Sequence, residues 1–124
     1  MTLQMPHPLR YDLQIRSSVT LIIHNAWRLD FNLAISSFED SIRASRNLID
    51  LGLDSPHRQN LRFVLTSSVA SAQSWDNAKG PFPEEVQLDP VPAVGAGCGE
   101  GKYATERVSH HPTTIQIIHT DMPW

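Results

Sequence analysis

Two short apolar runs with a helical stretch between them constrain this chain most. Val19-Thr20-Leu21-Ile22-Ile23-His24 is β-branched and apolar on both faces, which is how a strand buried inside a parallel sheet reads. Leu61 to Thr66 is the second such run. Between them, Phe38, Ile42, Leu48, Ile49 and Leu53 recur at helical spacing over Ser37 to Leu53 and can share one inward stripe. Ser37 is the expected N-cap, Asp40 suits the positive end of the first turn, and Gly52 and Pro56 close the helix. Strand, helix, strand is the grammar of an α/β sheet with right-handed crossovers, so an α/β fold of about three parallel strands is predicted.

The rest of the chain extends that pattern. Met1 to Arg16 reads as a loose lead-in or part of a helix, and Ala70 to Gly95 as a long, polar, proline-rich loop. Loops of that length inside a compact domain more often serve a function than not. Cys98 to Val108 is a second helix whose start Gly99 and Gly101 weaken, and Thr113 to His119 alternates as a third strand. With 124 residues, 40% of them hydrophobic, the chain is one small domain with a core. A net charge of -3 without a long basic run argues against a nucleic-acid partner. The apolar runs are too short to span a bilayer, and Met1 to Tyr11 has no apolar core of signal-peptide type. The single cysteine cannot form an internal disulfide, so the expected location is the reducing cytoplasm.

Several positions carry candidate chemistry. His24-Asn25-Ala26-Trp27 leaves the first strand at its carboxyl end, where open α/β sheets bind ligands. The structural alternative is an ordinary exit, with Asn25 turning the chain and Trp27 packing. Ser67 and Ser68 close the second strand, either as turn and capping hydroxyls or as a donor to a substrate carbonyl. Cys98 and Lys102, four residues apart, share one helical face, whereas Tyr103 is turned about 140° from Cys98. Glu84-Glu85 reads as solvated loop charge. Cys98 as the nucleophile of a cysteine-dependent hydrolase, with His110, His111 or His24 as its base, lacks an orienting acid in the sequence. His110, His111, His119 and Asp121 match no metal spacing, so no metal is predicted.

Ser18-Val19-Thr20-Leu21-Ile22-Ile23-His24-Asn25-Ala26-Trp27-Arg28-Leu29-Asp30-Phe31-Asn32 resembles the thioester reductase domain of fungal adenylate-forming, aminoadipate reductase-like enzymes, members of the extended short-chain dehydrogenase/reductases. Ser36-Ser37-Phe38-Glu39 through Arg46-Asn47-Leu48-Ile49-Asp50-Leu51 is similar to the next helix of that family, and Ala70 to Asp76 to its substrate-side loop. The likeness covers Ser17 to Val108, leaving 109–124 as a divergent tail of a single partial domain. It implies a partial Rossmann-like, three-layer parallel sheet with flanking helices, and NADP as cofactor, with His24, Asn25, Ala26 and Lys102 beside it. It also implies that a phosphopantetheine-linked acyl thioester on a carrier domain is reduced to an aldehyde or alcohol. Ser68 falls at the family's carbonyl-polarising serine/threonine, and Lys102 at the lysine of its Tyr-x-x-x-Lys motif.

Three departures accompany the resemblance. Cys98 stands where the family has the proton-donating tyrosine, and a thiol is shorter than a phenol and a poor hydrogen-bond donor. No Gly-x-x-Gly-x-x-Gly turn precedes the first strand to hold a pyrophosphate. The segment from Ser109 to Trp124 does not resemble the family. Together they predict a truncated piece of a reductase domain, inactive alone. The alternative is a non-catalytic binding module or an inert gene remnant.

Overall fold

The computed structural model describes residues 7–83, 85–109 and 115–120, with side chains described within 12–109. The lead-in is helical: α1 spans His7–Ser18, and the Ser17 and Ser18 hydroxyls both donate to Gln14 O at its end. Strand β1 (Leu21–His24) follows, then a 3-10 turn (Ile35–Phe38) that runs into α2 (Glu39–Leu53). Strand β2 is Arg62–Ser68, α3 is Gly97–Ser109 and β3 is Ile115–Thr120. The strands form one parallel sheet of order β1-β2-β3, with Ile22 opposite Phe63 and Phe63 opposite Ile115.

Three local expectations are corrected. Ser37 does not cap α2, because it lies inside the 3-10 turn; Phe38 occupies the cap position without a side-chain cap bond. Phe38 is fully buried, so packing rather than capping fixes where this helix begins. The stretch after β2 is not irregular throughout, since 3-10 turns form at Val69–Ala72, Asn77–Lys79 and Val91–Ala93. Their starts are set by short side chains: Ser68 accepts from Ala70 N–H, Asp76 from Ala78 N–H and Asp89 from Val91 N–H.

The third correction concerns the layers. The core of Ile22, Ile49, Leu61, Phe63 and Leu65 lies between α2 and one face of the sheet. The Ser67–Glu106 bond puts α3 on that same face. On the other face of β1, Leu21 is 53% and Ile23 64% exposed, so the run is not covered on both sides. The strand order explains this. Both crossovers step in the same direction, and crossovers of one hand then place their helices on one face. The described residues therefore make two layers, not three.

Candidate active site

The carboxyl ends of β1 and β2 open into a cavity of about 250 Å3. Its polar lining residues are Asn25, Thr66, Ser67, Ser68, Cys98 and Lys102, and Trp27, Leu29 and Phe31 wall it. Sequence-predicted Ser68, Cys98, Lys102 and Asn25 thus meet at one place, supplied by both strand ends and the start of α3. His24 and Ala26 do not line it. His24 shares the inward face of Ile22, as strand alternation requires, and its Nε2 lies 2.7 Å from Ser45 Oγ on α2.

Lys102 is nine-tenths buried, and among the described residues its Nζ makes one hydrogen bond, donating to Thr66 O at 2.8 Å. The amino group lies 4.4 Å from the centre of the Trp27 ring, which stacks on Phe38 at 5.6 Å. Burial pushes the Lys102 amino group below the ordinary lysine range, and nearby Cys98 and Glu106 offset part of that. One turn along α3, buried Glu106 accepts a hydrogen bond from Ser67 and so ties the helix to the end of β2. Trp27 and Glu106 were not singled out for the site by sequence reasoning. Their contacts come from distant parts of the chain, and only the i,i+4 spacing of Cys98, Lys102 and Glu106 hints at one shared face.

The glycines that weaken α3 as an isolated helix are what let it dock. A Cβ on Gly99 would meet Ala70 O at 2.1 Å, and one on Gly97 would meet Leu33 O at 2.3 Å. Backbone cannot yield as a side chain can, so Gly99→Ala is expected to destabilise the chain by about 1–3 kcal/mol. A lower urea midpoint at unchanged slope would register it. Beside this contact, Gln73 closes the long loop: its Nε2 donates to Ala93 O at 2.6 Å and Ala96 O at 3.0 Å, and its Oε1 accepts from Ala96 N–H at 2.9 Å. Tyr103 faces the loop, donating to Leu88 O, and takes no part in the cavity.

His24 gives the stability of the fold a pH dependence. Burial first, and the charge of Lys102 second, push its imidazole below the usual histidine range. The unfolded chain then binds this proton more readily than the folded one. The stability held by neutral His24 is whole above the unfolded value near 6.5 and is lost as pH falls through the lower folded value. The melting temperature is expected to drop between about pH 7.5 and about pH 5.5, with a smaller drop in His24→Gln. An equal drop in the variant would contradict this assignment.

Among the described residues no group of three His, Cys, Asp or Glu is placed to hold a metal ion, and no helix is long and apolar enough to cross a membrane. His110, His111 and Asp121, and the side chain of His119, lie outside the described residues, as does Glu84.

No family model matches the chain. It is 55% identical over 98 residues to the adenylate-forming reductase Nps9 of Serpula lacrymans, covering 79% of this chain and 9% of that protein. It is 40% identical over 95 residues to the adenylate-forming reductase Nps10 of Heterobasidion annosum, 77% of this chain and 8% of the relative. It is also 35% identical over 98 residues to the non-reducing polyketide synthase pkiA of Emericella nidulans, 77% of this chain and 4% of that protein. The chain therefore spans about a tenth or less of the curated relatives it matches. Over about four-fifths of its own length, the chain is homologous to a short segment of the fungal adenylate-forming reductases.

Proposed function

We propose that the chain is a segment of an NADP-dependent thioester reductase domain with a partial Rossmann-like sheet, and that it does not reduce thioesters by itself. The observation that carries this reading is the meeting of Ser68, Cys98 and Lys102 in one cavity at the carboxyl ends of parallel strands. The residues present fit the nicotinamide end of the cofactor. Lys102 is a nine-tenths buried donor with one acceptor, and Trp27 offers a flat apolar wall. When bound, the cofactor supplies the hydride for an acyl thioester carried on phosphopantetheine, giving an aldehyde or alcohol. Ser68 orients the carbonyl through its hydroxyl, Lys102 holds the ribose, and Asn25 and Trp27 bound the same space. Trp27, Leu29 and Phe31 give that end of the cavity an apolar wall. Cys98 occupies the place from which the family's tyrosine gives its proton.

Titration with NADPH, read as energy transfer from tryptophan, tests the reading. Weak, saturable transfer is expected, with affinity in the millimolar range near -4 kcal/mol. Lys102→Met is expected to weaken it about tenfold, the loss of one charge-assisted hydrogen bond. No saturable transfer in the parent chain would favour the inert remnant instead.

A further inference from the structure

Trp27 walls the cavity, but packing alone does not account for where its ring sits. We propose that Trp27 is the positioning residue of this site: the face of its indole holds the Lys102 amino group in place, by a cation–π contact, beside the carboxyl end of β2. The contact stands on geometry, and only its consequence for the cofactor rests on the reading of Lys102 as the group that holds the ribose.

Three observations converge on it. Lys102 Nζ lies over the Trp27 ring, 4.4 Å from its centre, and has Thr66 O as its one hydrogen-bond acceptor among the described residues. An ammonium carries three N–H donors, so one carbonyl leaves a nine-tenths buried cation short of partners, and a ring face supplies attraction without an acceptor atom. The ring is in turn fixed by the protein. It stacks within 6° of parallel on fully buried Phe38, and a Cβ at Gly101 would stand 3.2 Å from Trp27 Cζ2. The residue just before Lys102 is thus small enough for the indole to approach α3. Finally, Trp27 Nε1 is buried without an acceptor among the described residues. Buried indoles usually find one, so the orientation that brings the ring under Lys102 leaves an N–H unsatisfied, a cost of the kind met at functional sites.

The charges around the amino group are few. On its own helix Cys98 and Glu106 favour the cation, while burial opposes it. From β1, His24 is itself held neutral in part by the charge of Lys102. In the loop that carries Trp27, Arg28 and Asp30 lie 3.9 Å from each other. The Trp27 face attracts only the charged form, so it acts with Cys98 and Glu106 to keep the buried amine a cation.

The test uses the full chain labelled with carbon-13 at the lysine Cε and titrated with base. Two NMR signals are expected, since the chain has two lysines, and exposed Lys79 serves as reference in the same tube. Trp27→Leu is expected to lower the titration midpoint of Lys102 by about one pH unit, the size of a desolvated cation–π contact, and Trp27→Phe by less. In the parent chain grown on monofluoro- and difluorotryptophan, the ring keeps its shape while its face loses charge. The Lys102 midpoint is expected to fall stepwise with each fluorine, and Lys79 to move less. Fluorination decides the matter even where Trp27→Leu does not fold. A Lys102 midpoint that fluorination leaves unmoved overturns the proposal, because a ring that only packs is indifferent to the charge on its face. NADPH, followed through the same signal, is expected to bind about tenfold more weakly to Trp27→Leu. A midpoint that moves while NADPH leaves the signal unchanged keeps Trp27 as the positioning residue and removes the cofactor reading. An unmoved midpoint with saturable NADPH binding does the reverse.

Discussion

The isolated 124-residue chain is expected to give no measurable NADPH-dependent thioester reduction, and Cys98→Tyr alone is expected to leave it inactive. Two separate deficits produce this result. A positioned general acid contributes typically about 10²–10⁴-fold, and a thiol at position 98 is too short and too weak a hydrogen-bond donor to act as a phenol does. The second deficit is positioning. A dinucleotide is held through its pyrophosphate by backbone amides of a glycine-rich turn, and this sequence contains no Gly-x-x-Gly-x-x-Gly. A cofactor gripped only at its nicotinamide end samples many orientations, and the advantage of a fixed approach of hydride to carbonyl disappears. Cys98→Tyr repairs the first deficit and leaves the second. Steady consumption of NADPH at 340 nm by the parent chain, abolished by Lys102→Ala, would show that another group donates the proton.

Phe63→Ala is expected to abolish cooperative unfolding. Phe63 is 1% exposed at the centre of β2, paired on both sides, and belongs to the cluster with Ile22, Ile49, Leu61 and Leu65. Removing a buried phenyl ring costs about 3–5 kcal/mol. A chain this small, with Leu21 and Ile23 exposed on one face of β1, holds a total at the low end of the usual range of about 5–15 kcal/mol. Loss of near-ultraviolet circular dichroism and of the urea transition would register it. Leu21→Ala, on the exposed face of the same sheet, is expected to change stability by about 0.5 kcal/mol or less. Equal effects at the two positions would contradict the assignment of faces.

The sheet was legible because Val19 to His24 and Leu61 to Thr66 are short apolar runs and Thr113 to His119 alternates, and α2 because its apolar stripe keeps a helical period through Ile49 and Leu53. Coverage of the sheet was not legible. A doubly apolar strand records what it is built to bury, not what lies against each face, and here Leu21 and Ile23 remain open. The start of α2 was missed because a buried phenylalanine outcompeted a serine cap. The turns in the long loop had local signals, since Asp76 and Asp89 each bond the amide two residues ahead, the habit of aspartate at turns. In the candidate site, the spacing of Cys98 and Lys102 announced a shared face, and the end of β2 announced Ser68. Strict alternation along β1 would have put His24 inward with Ile22, away from the cavity. Gln73 gave no such signal and Glu106 only its spacing from Lys102, because each is defined by partners far along the chain.

In the proposed reading, Ser68, Cys98 and Lys102 occupy the positions of a reductase site in which only the proton donor is exchanged. Grafting residues 17–108 into the matching segment of a full-length adenylate-forming reductase tests it, because the host supplies the rest of the domain. NADPH consumption with an acyl thioester is then compared for the graft as it stands and for the graft carrying Cys98→Tyr. Cys98→Tyr is expected to raise turnover by about 10²–10⁴-fold, and Lys102→Met to remove the gain. A folded chimera in which Cys98→Tyr changes nothing would contradict it.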